Sequence, residues 1–298
     1  MINLITKEKL ISDLQNIGIK KGELLHLKVS LRAIGKIDGG PNTLIEALLE
    51  TVGEKGTIVI DAFINAYPLP LSKDDKNKIA NNKTPSYAGA LANAMINYPQ
   101  AERSKHPIQK FAAIGFKAKE LCDSHTDKSG GYDLVHQMAK LNAKNLTIGK
   151  NVVGVGTTHV AIEIMNLKRK EINKGVNYIT EKGEVKLATI NWNGGCGRGF
   201  PNFIPLYIEK NGLINKGKIG NAQSILTSMK KTLEIEIEKL KEDNKFFFCN
   251  DPACYSCRMS WEHSDKKKIN FYFNWLKQNF KGLSYSRFKN IYKAIYKK

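Results

Sequence analysis

The first two hundred residues alternate short β-rich apolar runs with stretches of helical periodicity, and that alternation constrains the fold more than any other feature. Leu24 to Leu27, Thr57 to Ile60 and Asn145 to Ile148 have the length and composition of strands. Between them, residues 42–52 bring Leu44, Ile45, Leu48, Leu49 and Val52 onto one helical face, with Asn42 or Thr43 as N-cap. A second helix is predicted after Thr84-Pro85-Ser86, where the small residues from Ala88 to Ala94 allow close packing on a neighbour. Such alternation reads as an α/β layered fold, a sheet flanked by helices. The polar, proline-flanked stretch 71–83 reads as a surface loop, with a lid over a site as the alternative. From Gln223 to Asp243 the spacing of Ile225, Leu226, Met229, Leu233, Ile235, Ile237 and Leu240 predicts one long amphipathic helix.

A chain of 298 residues with 42% hydrophobic content can bury one large core, or a main core with an annex. No window has the roughly 18 apolar residues of a membrane span, and the amino terminus lacks a signal-peptide apolar region, so a cytoplasmic location is expected. Five cysteines, an odd number, argue for reduced thiols. The formal charge of +19 invites a nucleic-acid reading, but it comes from 41 Lys and only 6 Arg. Arginine is the residue that reads phosphates and bases by bidentate pairing, so no nucleic-acid partner is expected.

A strand ending near Val29, a loop holding Gly35, Gly39 and Gly40, and a helix starting near Asn42 would leave backbone N–H groups facing a potential anion. The run Leu31-Arg32-Ala33-Ile34-Gly35 to Gly39-Gly40 resembles the opening signature of the aminoglycoside 3-N-acetyltransferase family, in which Val-His-Ser-Ser-Leu leads into Arg-Ala-Ile-Gly and then Gly-Gly. The resemblance continues in order over about residues 8–260. It takes in Gly56-Thr57-Ile58-Val59-Ile60, Thr84 to Leu91, Arg103-Ser104-Lys105-His106-Pro107, Phe111-Ala112-Ala113-Ile114-Gly115 and Lys144 to Gly149.

The resemblance implies a mixed central sheet flanked by helices, distinct from the GNAT fold, with acetyl-CoA as donor and direct transfer to an amine. Such transfer needs a base for the ammonium proton and donors for the thioester oxyanion. His159, followed by Glu163 one turn later, matches the family's His and Glu after the central strand and is the expected base, with Glu163 setting its tautomer. His106 is a further catalytic candidate, anchoring of a turn being its alternative. Ser30, Leu31, Arg32, Ala33, Ile34, Gly35 and Ser86 are the expected CoA-side residues. Lys28 stands where the family has His and Lys110 where it usually has Ser. Lys28 could meet the CoA phosphates or simply end a strand.

Cys249, Cys254 and Cys257, with His263 beyond, have the short spacing of a zinc knuckle, but the family frame needs no metal, so none is expected. Cys196 is expected to shape the acceptor pocket. Residues 1–264 form the expected transferase domain and residues 265–298 a helical tail with nine Lys, one Arg, one Asp and nine of the chain's 26 aromatic residues. In that tail Phe271, Trp275, Phe280, Phe288, Ile291, Tyr292 and Ile295 recur at near-helical intervals, suiting an anionic membrane surface; terminal helices packed on the core are the alternative. A +19 chain repels polycationic antibiotics at long range, which favours an anionic amino sugar, nucleotide- or lipid-linked, as in surface-polysaccharide assembly. Antibiotic acetylation is the alternative acceptor reading, and a non-catalytic basic module for membranes or RNA is a second.

Overall fold

The computed structural model describes residues 4–149, 156–170, 173–191, 196–264 and 268–279. Its strands are β1 (Leu24–Val29), β2 (Thr57–Asp61), β3 (Tyr67–Pro68), β4 (Glu102–Arg103), β5 (Phe111–Gly115), β6 (Lys144–Ile148), β7 (Asn173–Ile179), β8 (Val185–Asn191), β9 (Leu213–Ile219) and β10 (Ala222–Ser228). The helices are α1 (Lys7–Asn16), α2 (Leu31–Ile34), α3 (Pro41–Val52), α4 (Lys73–Lys76), α5 (Ala90–Ile96), α6 (Ala118–Ser124), α7 (Asp133–Lys140), α8 (Thr157–Ile164), α9 (Ile204–Glu209), α10 (Met229–Glu242), α11 (Tyr255–Arg258) and α12 (Lys268–Asn279).

Seven strands form one mixed sheet in the order β4-β5-β2-β1-β6-β10-β9. Its centre, β2-β1-β6, is parallel, and antiparallel strands close both sides. Because successive side chains on a strand point to opposite faces, the central strands feed two separate cores. Leu25 and Leu27 of β1, with Ile58 and Ile60 of β2, pack with the buried faces of α1, α3 and α5. Leu24 and Val59 face the other way, toward α6, α7, α8 and α10. His26, Lys28 and Asp61 share the register of Leu24 and Val59, so polar groups enter the layer that holds α8. A smaller antiparallel sheet, β3-β7-β8, lies outside the main one.

Several expectations are corrected here. Residues 223–228 are strand β10 and not the first turns of a helix, because their backbone pairs with β6 on one side and β9 on the other. The helix proper begins at Met229, where the Ser228 hydroxyl accepts from the Lys231 N–H. Helix α3 starts on Pro41 with Gly40 as its N-cap, ahead of the expected Asn42 or Thr43, since proline's fixed φ suits the first helical position. The 71–83 segment contains the short helix α4 and docks on the small sheet, where the Ala80 N–H donates to the Asn177 carbonyl at 2.7 Å.

The first part of the tail, helix α12, touches α11 and the segment before it, while Ile269, Phe273 and Leu276 stay exposed. Phe271 is buried against Tyr255, and the Gln278 side chain donates to Asp251. Phe280, Phe288, Ile291, Tyr292 and Ile295 lie outside the described residues. Among the described residues no helix is long and apolar enough to cross a membrane.

Candidate active site

The parallel strands β1, β2 and β6 end on the same side of the sheet, and ligands of α/β sheets bind outside such carboxyl ends. Under this edge lies a buried polar network. His26 is fully buried, its Nδ1 3.0 Å from Asn145 Oδ1 and its Nε2 2.9 Å from Asp61 Oδ1. The Lys28 ammonium pairs with the other Asp61 oxygen. Burial alone would push the Asp61 carboxyl up; the Lys28 ammonium and His26 outweigh it and hold the group well below the usual carboxylate range. Lys28 is thus a mostly buried ion-pair partner of Asp61 and not a surface strand end.

Helix α8 begins directly over this network. Gly156, with φ of +87°, precedes it, and a side chain there would stand 2.8 Å from His26 Cε1, so only glycine lets the helix start so close to the sheet. Three residues on, the His159 ring lies parallel to Tyr132 at 4.4 Å and edge-on to Phe200 at 5.1 Å. The two aromatic contacts fix the plane of the imidazole. Burial, with a contribution from the Lys28 ammonium, pushes the His159 ring down to about 3, so it is neutral across the physiological range.

Glu163 lies one helical turn further, with much of its side chain exposed; partial burial of the carboxyl and the nearby Asp133 carboxylate raise it to about 7. Among the described residues no hydrogen bond joins it to His159.

Below α8, Glu236 of α10 is buried and accepts hydrogen bonds from the hydroxyls of Thr158, at 2.5 Å, and Tyr207. Burial raises its carboxyl from the ordinary 4.5 to about 7, against the opposing hydrogen bonds. The folded chain therefore holds a proton there that the unfolded chain has released, and stability falls as pH rises between about 4.5 and about 7, by an amount on the order of 3 kcal/mol at most. Wild-type protein is expected to melt at a higher temperature near pH 5 than near pH 8. Glu236→Gln should flatten that slope in thermal melts across the pH series, and an unchanged slope would contradict the assignment.

The other predicted site residues divide. Ser30 ends β1 as the N-cap of α2 and makes no capping bond with its hydroxyl. It packs with Ala33 against Gly149 at the end of β6, where an added Cβ would come within 3.0 Å of both side chains. The Ala33 and Ile34 N–H groups donate to the Ser30 carbonyl, and the Ile34 side chain is buried in the core, so those two do not offer free donors. Leu31 is half-buried, Arg32 exposed, and Gly35 adopts φ of +108°. Ser86 is committed to a turn, its hydroxyl donating to the Phe63 carbonyl and accepting from the Ala88 N–H.

His106 is also a turn anchor: its Nδ1 accepts from the N–H groups of Ile108 and Gln109, and its ring stacks on His125. With Nδ1 accepting both backbone N–H groups, the arrangement fits the turn-anchor alternative. Lys110 lines a cavity of about 790 Å³ beside β7 and β8, and its ammonium donates to Asn82 Oδ1 and the Ser104 carbonyl. Burial and nearby Arg103 push Lys110 down to about 7.

The sequence reading missed the His26–Asp61–Lys28 network and Tyr132. A polar residue in an otherwise apolar strand, such as His26 in Leu24-Leu25-His26-Leu27, was the available signal.

The profile of the aminoglycoside 3-N-acetyltransferase family matches residues 25–241. The chain is 32% identical over 135 residues to aminoglycoside N(3)-acetyltransferase IX of Micromonospora chalcea, an alignment covering 41% of this chain and 48%, about half, of that protein. The fold is that of sisomicin-bound AAC-VIa, with a TM-score of 0.71 at 23% identity over 80% of this chain and 99% of that one. It also matches AAC-IIIb in binary complex with CoASH, with a TM-score of 0.69 at 20% identity over 80% of this chain and 97% of that one. With its family profile spanning most of the sequence, the chain belongs to the aminoglycoside 3-N-acetyltransferase family of acyltransferases.

Proposed function

We propose that the protein transfers the acetyl group of acetyl-CoA to an amine of an aminoglycoside-type amino sugar, with His159 as general base. The observation that carries this reading is the His159 ring, neutral and clamped between Tyr132 and Phe200 at the carboxyl edge of the parallel strands. In the transfer the acceptor amine attacks the thioester carbonyl, its proton passes to His159, and the tetrahedral oxyanion collapses with loss of the CoA thiolate. The uncapped Ser30 hydroxyl and the tight Ser30–Ala33–Gly149 contact suit a thread-like ligand running along the strand ends. In this reading Glu163, one helical turn after His159, orients the acceptor amine or relays its proton.

Net charge favours an anionic acceptor, but net charge does not locate charges. Glu163 lies within electrostatic reach of Tyr132, the residue stacked on His159, and Asp133 within reach of Glu163, so these groups offer a cationic amino sugar local compensation. The comparisons likewise support the aminoglycoside reading over a nucleotide- or lipid-linked sugar. Acetyl-CoA at about 100 times its dissociation constant should stabilise the protein by roughly 2.7 kcal/mol. Mass spectrometry should then find one added acetyl group on an aminoglycoside and none on a nucleotide-linked amino sugar offered in parallel. Acetylation of the nucleotide-linked sugar alone would reverse the acceptor assignment, and no stabilisation by acetyl-CoA would remove the donor.

A further inference from the structure

We propose that Cys196, Cys249, Cys254 and Cys257 form a structural tetrathiolate zinc site that staples the segment after β8 to the segment after α10. No metal is expected from the sequence because the resembled family's frame needs none; the fold, however, adds Cys196 as a fourth thiol beside Cys249, Cys254 and Cys257. All four sulfurs are buried and lie within 4.8 Å of one another. Cys196 Sγ is 3.7 Å from Cys254 Sγ, and Cys249 Sγ is 3.7 Å from Cys257 Sγ. These are two opposite edges of one tetrahedron, and a zinc ion bound at about 2.3 Å from each sulfur requires edges of about 3.8 Å. A disulfide would need its sulfurs at about 2.05 Å.

The surroundings offer the sulfurs hydrogen-bond donors and nearby cations. Backbone N–H groups point at the sulfurs: Arg198 at Cys196, Asp251 at Cys249, and Cys249 at Cys257 at 3.3 Å. Two of these donors lie two residues after the sulfur they meet, which bends each loop around its ligand. Four thiolates and one Zn²⁺ carry a net charge of −2, and the chain gathers guanidinium groups there. Arg198 pairs with Asp251 at 3.0 Å within electrostatic reach of the sulfurs, Arg258 donates to the Cys249 carbonyl at 2.6 Å, and Arg169 stacks over Trp261 within electrostatic reach of three of the sulfurs. Half of the chain's six arginines thus surround one cluster in a sequence that otherwise uses lysine.

On binding, each thiol releases its proton to solvent as a Zn–S bond forms, and all four positions of the metal are filled by protein, the closed arrangement of a structural site. Its position also bears on the transferase site. Four residues after Cys196, Phe200 packs edge-on against His159 and toward Phe247, so the staple holds one wall of the imidazole clamp.

The test is elemental analysis of the full-length chain purified under reducing conditions without chelator. We expect one zinc per chain, its release into a colorimetric zinc indicator when a mercurial blocks the thiols, and a lower melting temperature after a strong chelator that added zinc restores. Cys254→Ser should lose the metal, whereas Cys122→Ser, which alters a buried thiol outside the cluster, should keep it. If Cys254→Ser does not fold, the wild-type stoichiometry and the mercurial release still decide. Zinc-free protein whose melting is insensitive to chelator and to added zinc, sulfurs found as disulfides by mass spectrometry, or iron in place of zinc would each overturn the proposal.

Discussion

Replacing His159 with alanine should lower turnover by roughly 10²- to 10⁴-fold while leaving acetyl-CoA binding intact, the loss expected when a positioned general base is removed. The ring meets Tyr132 and Phe200 and is not part of the Ser30 side of the site, so its removal should leave the donor's binding surface in place. Because burial keeps the imidazole near 3, wild-type activity should show no acid limb from this group above about pH 5. Any fall in rate toward low pH would then come from protonation of the acceptor amine or of Glu163. Single-turnover acetyl transfer, with donor binding measured by thermal shift, separates chemistry from binding. Undiminished turnover in a folded His159→Ala protein would sink the assignment.

The second large effect concerns stability. Asp61→Asn should destabilise the fold by about 3 to 5 kcal/mol, since it leaves the largely buried Lys28 ammonium without its carboxylate beside fully buried His26. For a chain of this size that corresponds to a fall in melting temperature on the order of 10 °C. Adding Lys28→Met should recover part of the loss, because removing both charges avoids the uncompensated one. The sign of the pH effect follows from the depressed carboxyl. Its stabilisation is present above the unfolded-state value of about 3.9 and is lost as pH falls below it. Wild type should therefore lose more stability than Asp61→Asn between pH 5 and pH 3, as followed by denaturant melts. Equal melting of the two proteins at pH 7 would show that the pair contributes nothing.

Elements whose side chains decide their own environment were legible in the sequence. The apolar runs of β1, β2 and β6 and the one-sided pattern of α3 give strands and a helix in their places. Residues 223–228 were misread because Ile225, Leu226 and Met229 satisfy helical spacing by chance, whereas the outcome depends on β6 and β9 as partners distant in sequence. The candidate site behaved similarly. His159 stood in a recognisable local pattern, but the partners that give it meaning, Tyr132 and Phe200, come from other segments. Lys28 was open between a phosphate contact and a strand end because Asp61, 33 positions away, is invisible to local spacing. Cys196 was assigned to the acceptor pocket and not to the thiol cluster for the same reason, since it meets Cys254 across 58 positions. Glu163 and Ser86 were placed by resemblance alone, and for Ser86 the hydrogen bonds of its own turn account for the residue.

The order of the central sheet bears on how the chain is made. Strand β6 is paired on one side by β1 and on the other by β10, whose last residue is Ser228. During synthesis β6 leaves the ribosome some eighty residues before its second neighbour, and at about 5–20 residues per second its edge stays open for several seconds or more. An open edge next to exposed apolar surface is a template for pairing with another nascent chain. The Thr147 and Asn145 side chains at that edge are polar, which makes β6 a poorer template than an apolar strand would be. Production at lower temperature or with chaperone support thus acts on the interval between the synthesis of β6 and that of β10, before any property of the finished enzyme matters.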